Sequence, residues 1–132
     1  MDILLPAGWP RPKGYSNGIS AEGRMIFVSG QVGWNDREEF EAKDLVGQFK
    51  QVLLNTLAVL GEGGAGPEHI VRMTWYITDK EDYISHLKEI GETYRDLMGK
   101  NYPAMALVEV KSLLEDDAKI EIETTAVVPE GN

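Results

Sequence analysis

The chain has 132 residues, 42% of them hydrophobic and none of them cysteine, and its 22 acidic against 13 basic residues give a net charge of −9. That length suits one domain with a proper core and not two, and the missing cysteines exclude disulfides, thiolate catalysis and cysteine-held metals. The acidic balance repels a phosphate backbone, since non-specific nucleic-acid affinity comes from cationic neutralisation and the Lys and Arg are not gathered in one stretch, so no nucleic-acid partner is expected.

The start, Met1-Asp2-Ile3-Leu4-Leu5-Pro6, carries an acid where a secretory leader carries basic residues, and Pro6 interrupts its apolar run. The longest apolar stretches fall far short of the roughly 20 residues that span a membrane. The expectation is a cytoplasmic chain folded as a single domain over 1–132, with no membrane partner and with fraying ends.

Ser16 to Val32 reads as a hairpin turning at Glu22-Gly23, followed by the run Met25-Ile26-Phe27-Val28. A strand apolar on both faces needs cover on both. From Ala42 to Leu60, the residues Leu45, Phe49, Val52, Leu53, Leu57 and Leu60 recur at three- and four-residue steps, which predicts a helix with one buried stripe. It stops in Gly61-Glu62-Gly63-Gly64-Ala65-Gly66-Pro67, a connection that lacks the Gly-Lys-Ser/Thr ending of a phosphate loop.

Ile70 to Thr78 alternates as a strand, with Val71, Met73, Trp75 and Ile77 on one face and Arg72, Thr74 and Tyr76 on the other. Thr78 and Glu81 have capping-box spacing for a second helix. Its stripe is Tyr83, Leu87, Ile90, Tyr94 and Leu97, it ends near Gly99, and Gly91 inside it costs about 1 kcal/mol relative to Ala unless packing requires it. Two strands follow, Ala104 to Val110 and Lys119 to Val128; in the second, Ile120, Ile122 and Ala126 oppose Lys119, Glu121, Glu123 and Thr125. This order predicts an α+β layer, two helices on one face of a mixed sheet. His69 and His86 are too far apart, and too distant from acidic clusters, to suggest a metal pair, so no metal is expected.

Five stretches resemble the reactive intermediate deaminase (Rid, YjgF-type) family in order and spacing: Gly14-Tyr15-Ser16, Val28-Ser29-Gly30-Gln31, Asn55, Pro103-Ala104, and Ile120-Glu121-Ile122-Glu123. The resemblance implies a chorismate-mutase-like fold of the bacillus type. Three sheets would form a trimeric barrel with small-molecule clefts between subunits and no cofactor. It also implies hydrolysis of a reactive imine or enamine with release of ammonia. Glu121 would handle protons, and Tyr15, Ser29, Gly30, Gln31, Trp34, Met105, Ala106 and Leu107 would line the cleft. Trp34 reads equally as loop packing, and Glu123 as half of an intersubunit ion pair.

Three departures stand out. The family's carboxylate-binding arginine after the Pro-Ala pair is Met105 here, its pocket-side helix asparagine falls at Gly91, and its proline before the tyrosine is Gly14, a replacement that suits a turn either way. Loss of a forked cation weakens a carboxylate ligand by orders of magnitude. Arg24 and Arg72 are the candidates to replace it. The alternative to an enzyme is a non-catalytic small-molecule-binding or regulatory trimer. A ribonuclease or translation inhibitor, a role attached to some relatives, fits neither the charge nor the lack of a histidine pair.

Overall fold

In the computed structural model, which describes residues 1–130, a four-stranded mixed sheet carries its helices on one face. The strands are β3 (Arg24–Val32), β4 (Ile70–Ile77), β5 (Ala104–Glu109) and β6 (Ile120–Val128), in the order β3-β6-β4-β5. β4 and β5 run parallel while the other pairs are antiparallel. The parallel pair requires a crossover, and α2 (Lys80–Ser85) and α3 (Leu87–Met98) supply it. Helix α1 (Leu45–Glu62) joins β3 to β4 through a 3-10 turn at Pro67–His69.

The stripe expected of α1 is the one buried: Leu45, Phe49, Val52, Leu53 and Leu60 pack against Ile120, Ile122 and Ala126 of β6 and Met73, Trp75 and Ile77 of β4. The helix starts later than its periodicity suggests, because Asp44 takes extended dihedrals and accepts from the Gly47 amide at 3.1 Å. Gln48 is fully buried beside this stripe. Its Nε2 donates to the Asp117 carbonyl at 2.9 Å and its Oε1 accepts from the Lys119 amide at 2.8 Å, which pins the chain entering β6 to α1.

Three expectations need correction. The segment before β3 does not form a hairpin with it: β2 (Gly18–Ser20) pairs antiparallel with β1 (Asp2–Leu4) in a separate two-stranded sheet, so residues expected to fray are hydrogen-bonded. The second helix is capped by Asp79, not Thr78, whose successor's carboxylate accepts from the Asp82 amide at 3.1 Å. It also breaks at His86 (φ −120°, ψ 21°), where Nδ1 donates to the Asp82 carbonyl at 2.8 Å in place of a helical amide.

Among the described residues, no layer of helices or strands covers the opposite face of the sheet. Met25 and Phe27 of β3 project there, with Phe27 70% exposed, while Ile26 and Val28 turn to the helices. Arg72, Thr74 and Tyr76 of β4, and Glu121, Glu123 and Thr125 of β6, fill the centre of this open face.

Candidate functional site

Most of the residues singled out in the sequence are divided between opposite faces of the sheet. On the helix side, Tyr15, Met105 and Leu107 line a cleft of about 490 Å³ with Trp75, Tyr83 and Tyr94 behind them. Register explains which β5 side chains point there: Met105 and Leu107 stand beside Met73 and Trp75, which are core residues. Ala106 pairs with Thr74 and therefore faces the open side.

Tyr15 reaches this cleft because the segment around it is fastened to the start of β5. The Ser16 amide donates to the Pro103 carbonyl at 3.0 Å and the Ser16 hydroxyl to the Tyr102 carbonyl at 2.5 Å, with a parallel bridge from Ser16 to Ala104. Just before it, Gly14 sits at φ 80°. Proline is locked near φ −65° and cannot adopt that conformation, so the glycine is not interchangeable with a proline in this backbone.

The aromatic wall is tightly organised. Tyr94 stacks on Tyr102 with centroids 5.6 Å apart, and Trp75 lies 4.9 Å from Phe49 and edge-on to Tyr83 at 6.5 Å. Burial pushes the Tyr83 and Tyr94 phenols up, so both stay neutral and add no negative charge to the cleft. The buried indole N–H of Trp75 has no hydrogen-bond partner among the described residues. Lys13, Gly91 and Arg95 complete the rim, and sequence reasoning named neither cation. Of the two arginines it did name, Arg24 lies near Gly64 and Arg72 lines a separate open-face cleft with Ser29 and Glu123.

The open face holds the acid. β3 bulges between Val28 and Gln31, so Ser29 and Gly30 have no partner in β6. Gly30 then lies directly against the Glu121 carboxylate: a Cβ there would fall 2.0 Å from Oε2. Only glycine leaves room for the acid at this place. Glu121 stands opposite Tyr76, whose hydroxyl donates to Glu123 Oε1 at 2.8 Å. That bond, first, and the nearby carboxylates raise the Tyr76 pKa. Glu123 thus has a partner within its own chain.

Gln31 and Trp34 fall in a third place. They border a shallow recess with Asn55, where the Trp34 ring lies 5.8 Å from Phe40 and packs the loop after β3. Asn55 is explained by the same loop: its Nδ2 donates to the carbonyls of Val32 at 3.1 Å and Trp34 at 2.8 Å. Within one chain, then, Glu121 and Met105 occupy opposite faces of the sheet. Among the described residues no group of three or more His, Asp or Glu side chains converges to hold a metal, and no helix is long and apolar enough to cross a membrane.

Residues 10–128 match the family model described as Endoribonuclease L-PSP. A RutC family protein of Pyrococcus abyssi is 36% identical over 127 residues, covering 95% of each chain. The crystal structure of YyfB, of the conserved Rid protein family, from Yersinia pestis superposes with TM-score 0.84 at 29% identity, over 96% of this chain and 98% of that one. The Escherichia coli protein named a putative reactive intermediate deaminase, TdcF, is 31% identical over 86% of this chain and 85% of its own. A site fastened at Ser16, bulged at Gly30 and split across a mixed α+β sheet thus comes with matches along nearly the whole sequence, and the chain belongs to the Rid (YjgF) family.

Proposed function

We propose that the protein is a hydrolytic deaminase of a reactive imine or enamine, with Glu121 as its proton-handling group. The observation that carries this reading is the Glu121 carboxylate lying against the side-chain-free bulge at Gly30, on the same open face as Ser29. The chemistry asks little more. An enamine tautomerises to its imine, water adds to the C=N carbon, and the resulting carbinolamine expels ammonia to leave a carbonyl. A carboxylate that takes a proton from water and returns one to nitrogen is sufficient for both steps.

The open-face half and the helix-side half belong to one site if copies assemble as a closed ring. β3 and β5 are the two edges of the sheet, so a cyclic trimer sets one edge of each copy near the opposite edge of the next. Glu121 with Ser29 and Gly30 from one copy then faces Tyr15, Met105 and Leu107 from its neighbour. The relative TdcF, named a putative reactive intermediate deaminase, supports the same reaction class.

RNA cleavage has less support: the chain's two histidines, His69 at the 3-10 turn and His86 at the helix break, line neither the helix-side cleft nor the face that carries Glu121, and the net charge of −9 opposes a phosphate backbone. One observation, Met105 in place of a cation, favours a second reading as a binding protein without turnover. The decisive experiment follows ammonia release from imines generated in solution. The wild type should accelerate it and Glu121→Ala should not; equal rates in the two proteins remove Glu121 from catalysis, and rates equal to buffer leave the binding role.

A further inference from the structure

The basic residues of this acidic protein are unevenly placed. The cleft lined by Tyr15 and Met105 includes Lys13 and Arg95 and no Asp or Glu. A second hollow on the other side of Tyr15 has Arg11, Lys13 and Lys100, again with no acid. In a chain of net charge −9 this is a local field of the opposite sign, and it attracts an anion.

Arg95 is free to meet one. Among the described residues the ion pairs are Arg37 with Glu39 and His86 with Asp82, so Arg95 has no carboxylate partner despite Glu92 one turn away. Its guanidinium folds back along α3 over Gly91 instead, where a Cβ would lie 3.3 Å from Nη1. A side chain at position 91 would crowd the guanidinium, which lies at the rim of the cleft. Below that rim the walls are aromatic and aliphatic, and Met105 contributes a flexible thioether.

We propose that Arg95, assisted by Lys13, is the anion anchor of this cleft, replacing from α3 the cation that β5 does not carry, so the site takes a carboxylate with an apolar or aromatic body. This rests on reading the helix-side cleft as the ligand half of the deaminase site. The guanidinium forks onto the carboxylate at the rim, and the body of the ligand lies along Met105 and Leu107. Arg95 is a specificity-determining residue here and takes no part in proton transfer.

Titration calorimetry with 3-phenylpropanoate and its uncharged amide tests the assignment. The wild type should bind the carboxylate at least about tenfold more tightly than the amide, the scale of a charge-assisted pair at a partly exposed site. Arg95→Gln should lose that preference while binding the amide within about twofold. Gly91→Glu, which sets an acid against the guanidinium, should lose it as well. The proposal is overturned if Arg95→Gln retains the preference, or if the wild type binds neither probe or both alike. Ammonia release measured on the same proteins separates the two readings. A carboxylate preference that depends on Arg95 without turnover sinks the deaminase and leaves the anchor standing; turnover with Arg95→Gln unchanged in both assays does the reverse.

Discussion

Glycines at 30 and 33 stand three residues apart on the same strand and its exit, yet their neighbours differ in what can give way. A methyl at Gly30 meets the far end of the Glu121 side chain, which can swing aside. Gly30→Ala is expected to cost less than about 1 kcal/mol of stability while lowering ammonia release to the level of Glu121→Ala, because the carboxylate is displaced and the fold is not. At Gly33 a methyl falls 2.6 Å from the Gln48 Cβ and 2.8 Å from its Cα, within the backbone of α1. Gly33→Ala should cost about 2 kcal/mol, the scale of overpacking, read as a lower denaturation midpoint. If the two variants lose stability equally, the distinction between a movable and a fixed neighbour is wrong. Gln48 itself is a third case. Replacing it with Ala strands the Asp117 carbonyl and the Lys119 amide, at about 1–3 kcal/mol for each buried group left unpaired, so Gln48→Ala should destabilise more than any surface substitution on α1.

At the level of elements, the junction between α2 and α3 predicts a pH effect. The His86 ring donates to the Asp82 carbonyl and lies 3.1 Å from the Asp82 carboxylate, and these contacts, the backbone bond first, raise its pKa above the ordinary value. A raised folded-state pKa gives stability that is fully present below the unfolded pKa and is lost as pH rises through the folded one. The melting temperature of the wild type relative to His86→Gln should therefore fall between about pH 6 and pH 8. The ring is exposed, so the change is small, and a difference that rises over that range would contradict it. This break was not legible in the sequence. Tyr83, Leu87, Ile90 and Tyr94 keep helical spacing straight through it, and no Gly or Pro marks the place. Strand β6, β4 from Met73 onward and the stripe of α1 were legible because their periods match the faces they bury, whereas an irregularity between Ile70 and Arg72 buries Ile70 where the alternation had placed Val71. The pairing of β2 with β1 was not, since a hairpin with the adjacent strand satisfies the same local pattern and the true partner lies at the chain start. Much the same limit applied to the site. Tyr15, Met105 and Leu107 could be placed together by resemblance, but Arg95 looks like any outward helix charge until Gly91 shows where the guanidinium lies.

For the whole molecule, the open face governs behaviour. Met25, Phe27 and Val108 are large apolar groups left facing solvent around a polar centre, a pattern that calls for a second protein layer. The wild type is expected to sediment as three chains, and Phe27→Glu as one with the helix content unchanged. Because Glu121 and Met105 lie on opposite faces of the sheet, that monomeric variant should also lose turnover; a fully active monomer would show that one chain holds the entire site.

The parallel pairing of β4 with β5 has one more effect. Since the crossover helix must return the chain to the sheet edge, one side of the helix-side cleft is a consecutive piece of chain, from Leu87 through Arg95 and Tyr102 to Leu107, while Lys13, Tyr15, Trp75 and Tyr83 join it from elsewhere. Glu121 and its bulge lie outside that stretch. Under the proposed function, ligand preference and proton handling thus fall in different stretches of chain, and a graft of residues 87–107 together with the segment around Lys13 and Tyr15 between family members should carry preference across while leaving the reaction as it was.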